Sequence, residues 1–169
     1  MNAQIRNKEI LSLRTFLAGV HKKHQYINWG GCCVFAGILG KHLAAVGKVR
    51  VRVINSMWDG ERNLDEVRKK VRKNECAEWN RHGVGFSHVV IEFAYKRRYY
   101  IIDSEGIRVL TNNLDSRYVE GALTVEEARE LGSTPRGWNS IFNRDEIPAI
   151  RGKVQRYFKK FVQDGELTS

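Results

Sequence analysis

Asn28-Trp29-Gly30-Gly31-Cys32-Cys33-Val34-Phe35-Ala36 is the stretch on which the rest of the chain turns. Two glycines make a tight turn, and the apolar run behind them has helical spacing. The segment therefore reads as a turn delivering a cysteine to the first position of a helix. That helix is predicted to run from 32 to about 46 and to stop at Gly47. Its period separates the two cysteines. Cys32 shares a stripe with Phe35, Ala36, Leu39, Leu43 and Val46, the face expected to meet a sheet, whereas Cys33 falls with Gly37, Gly40 and Ala44 on a small-residue face. Cys32 is the candidate nucleophile on that ground. Unpaired N–H groups at a helix start favour a thiolate and can donate to an oxyanion. Gly30 and Gly31 are expected to let a substrate backbone approach the sulfur.

Upstream, Ile10, Leu13, Leu17 and Val20 recur at three- and four-residue spacing and predict a first amphipathic helix with Lys8, Glu9 and Arg14 outward. Downstream, residues 49–54 alternate Val49, Val51 and Val53 with Arg50 and Arg52, a half-buried strand. Asn63 with Glu66 resembles a capping box for a charged helix from 64 to about 79. Gly83-Val84-Gly85-Phe86 leads into a strand over 87–93, a turn near Tyr95-Lys96 returns the chain as a strand over 99–103, and Gly106 ends it. Thr124 with Glu127 caps a short helix that stops at Gly132. The last helix starts near Asp145, takes Pro148 in its first turn, and carries an apolar stripe of Ile147, Ile150, Val154, Tyr157, Phe158 and Phe161. The order is helix, helix, strand, helix, hairpin, helices. It predicts an α+β fold with helices packed around a small antiparallel sheet.

A cysteine nucleophile needs a base and a group to orient that base. A two-residue turn at Tyr95-Lys96, or a four-residue loop over 94–97, sets His88 directly opposite Asp103 on one face of the hairpin, with Cβ atoms about 5 Å apart. A one-residue slip would put them on opposite faces. His88 is thus the candidate base and Asp103 its orienter. His21, His24 and His42 lie near lysines on helix surfaces or loops and read as solvated; His82, before a glycine loop, is the reserve base. Gln25 and Asn28 are candidate oxyanion donors, with turn-forming and capping roles as the alternative. Trp29 lines a substrate channel or anchors the turn. Gly31 and Cys33 complete the set of residues expected around the sulfur.

Composition bounds these readings. A chain of 169 residues fits one domain, taken as 1–169, that buries about 70% of its unfolded surface. No run of 18 or more apolar residues occurs, so no membrane span is expected. Arg6, Lys8, Glu9 and Arg14 interrupt the N-terminal apolar residues, unlike a signal peptide. A cytoplasmic location follows as the expectation, in the host cell if the gene is viral. Three cysteines, two of them adjacent and Cys76 alone, suit neither a disulfide framework nor a zinc site. No metal and no cofactor is expected. The excess of 29 Lys and Arg over 19 Asp and Glu, a net charge of +10, attracts acidic protein surfaces, nucleic acid or anionic lipid, or merely solubilises the chain. The densest run, Arg68-Lys69-Lys70-Val71-Arg72-Lys73, lacks the interleaved aromatics of a nucleic-acid stacking platform and reads as a solvated helix face.

The segments Gly30 to Ala36, Ser87 to Glu92 and Tyr100 to Asp103 together resemble the transglutaminase-like branch of the papain-like superfamily. Transglutaminases carry Gly-Gln-Cys-Trp-Val-Phe-Ala around the nucleophile, and this chain matches at Gly30, Cys32, Val34, Phe35 and Ala36. The resemblance covers roughly residues 25 to 106. It implies a papain-like core in which an antiparallel sheet packs on the nucleophile-bearing helix. It also implies Cys32 as nucleophile, His88 as base and then acid, and Asp103 as orienter. Two departures stand out: Cys33 replaces the tryptophan usual after the nucleophile, and Tyr26 stands where papain-type peptidases place an oxyanion glutamine.

The expected function is a cysteine hydrolase, a peptidase or amidase, that forms an acyl-enzyme on a protein or peptide substrate of acidic character. Transfer to an amine, as in a transglutaminase or acyltransferase, is the alternative within the same chemistry. A non-catalytic basic module that binds nucleic acid is the alternative from a different class. An effector that modifies a host protein would differ from the first reading in target and not in chemistry.

Overall fold

Each local pattern above acquires a place in the structure, a computed structural model that describes residues 8–55, 65, 86–110, 122–133 and 142–163. Helix α1 (Lys8–Lys23) buries Ile10, Leu13, Leu17 and Val20 along one side of its period. A π-helical turn (Ile27–Gly31) runs directly into α2 (Cys32–Leu43). Four strands follow: β1 (Lys48–Asn55), β2 (Phe86–Tyr95), β3 (Arg98–Asp103) and β4 (Gly106–Val109). They form one antiparallel sheet in the spatial order β1-β2-β3-β4. Helix α3 (Val125–Ser133), a 3₁₀ turn (Arg144–Glu146) and helix α4 (Ile147–Gln163) complete the described elements. The fold class is α+β.

Helix α2 is the centre of the packing. Phe35, Ala36, Leu39 and Leu43 are buried, and they share a core with Val51, Val89, Ile91, Phe93, Tyr100 and Ile102 of the sheet. On the small-residue face, a Cβ at Gly37 would sit 3.0 Å from the Cα of Arg129, and one at Gly40 would sit 3.1 Å from Val125. Helix α3 therefore lies almost backbone to backbone on α2. Helix α4 buries Ile150, Val154 and Phe158. Its Tyr157 stacks on Phe16 of α1 at 4.2 Å and donates from its hydroxyl to Ser12 at 3.1 Å, while Phe158 stacks on His42 of α2 at 5.1 Å.

The capping box at the start of α3 is reciprocal. The Glu127 N–H donates to Thr124 Oγ1 at 3.1 Å and the Thr124 N–H donates to the Glu127 carboxylate at 2.9 Å. Asn143 performs half of this task before α4, its side chain accepting from the Asp145 N–H at 3.0 Å.

Three boundaries differ from expectation. Helix α2 ends at Leu43, not near 46, because the Leu43 carbonyl accepts from both the Val46 and the Gly47 N–H at 3.0 Å and closes the helix early. Gly106 does not end the sheet: with φ +152 it opens β4, a strand of four residues too short to show an alternation. The β2–β3 turn is Lys96-Arg97, one residue later than read, and both residues take positive φ (45° and 63°). That is the backbone of a type I′ turn, which asparagine and glycine normally mark. The register moves with it: Ile91 pairs with Ile102 and Tyr95 with Arg98.

Of the charged helix expected over 64 to 79, only Asp65 is described, and it is helical. The basic run 68–73, Cys76, His82 and the loop at 83–85 lie outside the described residues. Among the described residues no helix is long and apolar enough to cross a membrane.

Candidate active site

Strict alternation along β2 puts Val89, Ile91 and Phe93 on the helix-packed face and His88, Val90 and Glu92 on the other. Two irregularities change this at the strand's start. The β1–β2 ladder shifts register between Ile54 and Asn55, so that Ile54 pairs with His88 and Asn55 with Phe86, leaving Ser87 as an extra residue. Such a bulge bends a strand and re-aims a side chain. The β2–β3 ladder, meanwhile, stops at the pair Ile91 and Ile102. The sheet end nearest His88 is therefore loosened on both sides, and there it meets the first turn of α2.

Cys32, His88 and Asp103 come together at this end. The register found here sets Asp103 level with Val90, so His88 and Asp103 are diagonal and not directly opposite as expected. A shift of two residues keeps both on one face, within diagonal reach. His88 Nε2 lies 3.2 Å from Asp103 Oδ2 in a part-buried hydrogen bond. The other carboxylate oxygen accepts from the backbone N–H of Glu105 at 2.9 Å and of Gly106 at 3.2 Å, so the turn into β4 holds the acid in place. His88 Nδ1 is buried and makes no hydrogen bond of ordinary geometry. It is the ring nitrogen that Asp103 leaves for the thiol of Cys32, with which the imidazole interacts.

The electrostatics follow from these contacts. A hydrogen bond from the Cys33 thiol lowers the Cys32 pKa most. Burial opposes it, and His88 together with the Val89 N–H lowers it further, to about 5. Cys33 moves well above the usual thiol range, because it gives its hydrogen bond to Cys32 and is itself buried. Burial would lower the His88 pKa, yet the hydrogen bonds with Asp103 and Cys32 and their charges outweigh it and raise it to about 9. For Asp103, burial raises the pKa, but His88, the Glu105 N–H and Arg108 bring it below the usual carboxylate value. Between about pH 5 and about pH 9 the arrangement is a thiolate beside an imidazolium.

The helix start acts differently from expectation. A π-turn closes N–H bonds to carbonyls five residues back, so the turn at Ile27–Gly31 supplies acceptors for N–H groups that an abrupt helix start leaves open. The neighbouring Cys33 thiol, with His88 and the Val89 N–H from the sheet, takes over the stabilisation of sulfur. The role expected of Gly31 changes too. A Cβ there would sit 2.8 Å from the ring of Phe142, so this glycine makes room for a buried aromatic side chain and not for substrate.

Among the other candidates, Asn28 is tied into the site: its Oδ1 accepts from the Ser104 hydroxyl at 2.8 Å, which joins the π-turn to the turn that holds Asp103. Gln25 is exposed after α1, and no hydrogen bond links it to Cys32. The side chain of Trp29 lies outside what is described. His24 is not solvated as expected: it is 4% exposed and pairs through Nδ1 with Glu146 of the 3₁₀ turn. His42 is half-buried against Phe158, where burial and then Lys41 lower its pKa, and His21 is partly buried.

Four contributors escaped the sequence reading: Val89, Ser104, Phe142 and Glu146. Only Ser104 left a trace, as the first residue of the turn Ser104-Glu105-Gly106. Among the described residues no group of three His, Cys, Asp or Glu side chains is placed to hold a metal ion. Comparison with protein-family models, curated proteins and solved structures finds no match to this chain, so the chemistry of these side chains is the ground for a functional reading.

Proposed function

We propose that the chain is a cysteine hydrolase of the transglutaminase-like branch of the papain-like superfamily, acting on an amide or related acyl bond. One observation carries the reading: Cys32, with its pKa lowered to about 5, sits beside His88, raised to about 9, whose Nε2 is held by Asp103. A thiolate next to an imidazolium is the ground state that thiol acyl transfer requires. The motif over residues 30–36 supports the family.

The steps follow from the protonation states. The Cys32 thiolate attacks the carbonyl carbon and forms a C–S bond, and the carbonyl electron pair moves onto oxygen. Collapse of that oxyanion breaks the C–N bond, and the imidazolium gives its proton to the leaving amine. The neutral imidazole then takes a proton from water, whose oxygen attacks the thioester and expels the thiolate. Asp103 keeps the ring oriented and favours its charged form. The oxyanion donor on this reading is Nδ2 of Asn28, whose Oδ1 is occupied by Ser104. The net charge of +10 favours acidic substrates.

Intact-mass analysis with an electrophilic amide mimic tests the reading. The wild type is expected to form a single adduct, Cys32→Ala none, and His88→Ala and Asp103→Ala an adduct that forms more slowly. Equal labelling of all four proteins would remove the case for an enzyme. Steeply salt-dependent nucleic-acid binding in that event would favour the basic binding module instead.

A further inference from the structure

Helix α2 has a second face that the thiol chemistry does not use. At 100° per residue, Val34, Ile38 and Lys41 project from the side of the helix opposite Cys32, Ala36 and Leu39. On that side a half-open cleft of about 450 Å³ lies between α2, α3 and α4. Val34, Ile38 and Ile147, all partly buried, line its apolar part. Lys41 from α2, Arg129 from α3 and Arg151 from α4 supply three cationic side chains, one from each helix. Among the described residues no acidic side chain lines the cleft, and none of the three cations forms an ion pair.

We infer that this cleft is a binding site for a small organic anion with an apolar body and a doubly charged head, of the phosphate-monoester class. Three like charges around one depression repel each other, and a dianion reverses the sign of that energy. Two guanidinium forks suit the oxygens of a phosphate better than ammonium groups do. The apolar side chains give no benefit to a bare inorganic ion but do to a ligand with a hydrocarbon or aromatic part. The volume falls within the range of small-molecule pockets. A peptide lying across the thiol would have to pass round a helix roughly 10 Å thick to reach it. The site is therefore separate from the one that holds the scissile bond.

Calorimetric titration with phenyl phosphate tests the inference, and the Cys32→Ala protein serves as well as wild type because no thiol chemistry is involved. Saturable one-to-one binding is expected, weakened about tenfold by Arg129→Gln and again by Arg151→Gln. Lys22→Gln, an exposed change on α1, should leave it unaltered. Inorganic phosphate should bind more weakly than phenyl phosphate, and phenol not measurably. The inference is overturned if phenyl phosphate shows no saturable binding, or if both arginine variants bind it like wild type. Equal affinity for phenyl phosphate and inorganic phosphate would also overturn it, since the apolar part would then contribute nothing.

Discussion

Because the Cys33 thiol donates to Cys32, the first sulfur carries its negative charge well below the usual thiol range while the second keeps its proton. Cys33→Ala removes that donor without touching the imidazole. The Cys32 pKa should rise, and alkylation by iodoacetamide near pH 6 should slow several-fold, read by mass spectrometry against time. Turnover should depend on pH at both ends. It should increase as pH rises through about 5, where Cys32 loses its proton, and fall as pH rises through about 9, where His88 loses the proton meant for the leaving amine. Asp103→Asn removes a charge that raises the His88 pKa, so the falling limb should move to lower pH while the rising limb stays closer to its place. A pH–rate profile of the two proteins decides this. An unmoved falling limb would mean that Asp103 does not tune the ring.

At the scale of the element, the legible parts were those whose signal is complete within one segment. Both halves of the Thr124 and Glu127 box lie three residues apart, and the structure makes both hydrogen bonds. Thr124 is exposed, so Thr124→Ala removes the cap with little loss of packing, and should cost about 1 kcal/mol in a urea melt. The hairpin shows the opposite case. Lys96-Arg97 adopts positive φ without asparagine or glycine, so nothing in the residue types locates the turn, and the pairing was read two residues out. Arg97→Gly should relieve the strained backbone and stabilise the protein by about 0.5–1 kcal/mol, seen as a higher urea midpoint at constant slope. Lys96 is better left alone, since its ammonium pairs with Glu9 of α1 at 2.8 Å. His88 and Asp103 were found despite the misplaced turn because an error of two residues preserves the face.

Across the whole molecule, what stayed hidden is what residues far apart in sequence do to each other. Phe142 fills the space above Gly31, Glu146 meets His24, and Ser104 holds Asn28. None of these pairs has a local pattern, because each depends on where α4 and the β3–β4 turn finally pack. Phe142→Ala should test how far the late part of the chain supports the early part. Loss of a buried ring costs about 3 kcal/mol or more, and differential scanning calorimetry should show a lower melting temperature. Thiol alkylation of the still-folded variant should lose its selectivity for Cys32 if the ring also steadies the turn beside it.

The wide turn ahead of the reactive sulfur has a consequence for insertions and deletions. A π-turn is an ordinary helix carrying one surplus residue, and each residue is worth about 100° of rotation about the axis. Ile27 and Cys32 are both locked in the interior, one at each end of that turn. Removing one residue between them would leave helix length almost unchanged but alter the phase between the two ends. With α2 fixed by its packing, the amide that grips Ser104 would swing round the axis and lose its hold. The extra residue thus acts as an angular spacer, matching the direction of the asparagine to that of the sulfur four positions further along the chain.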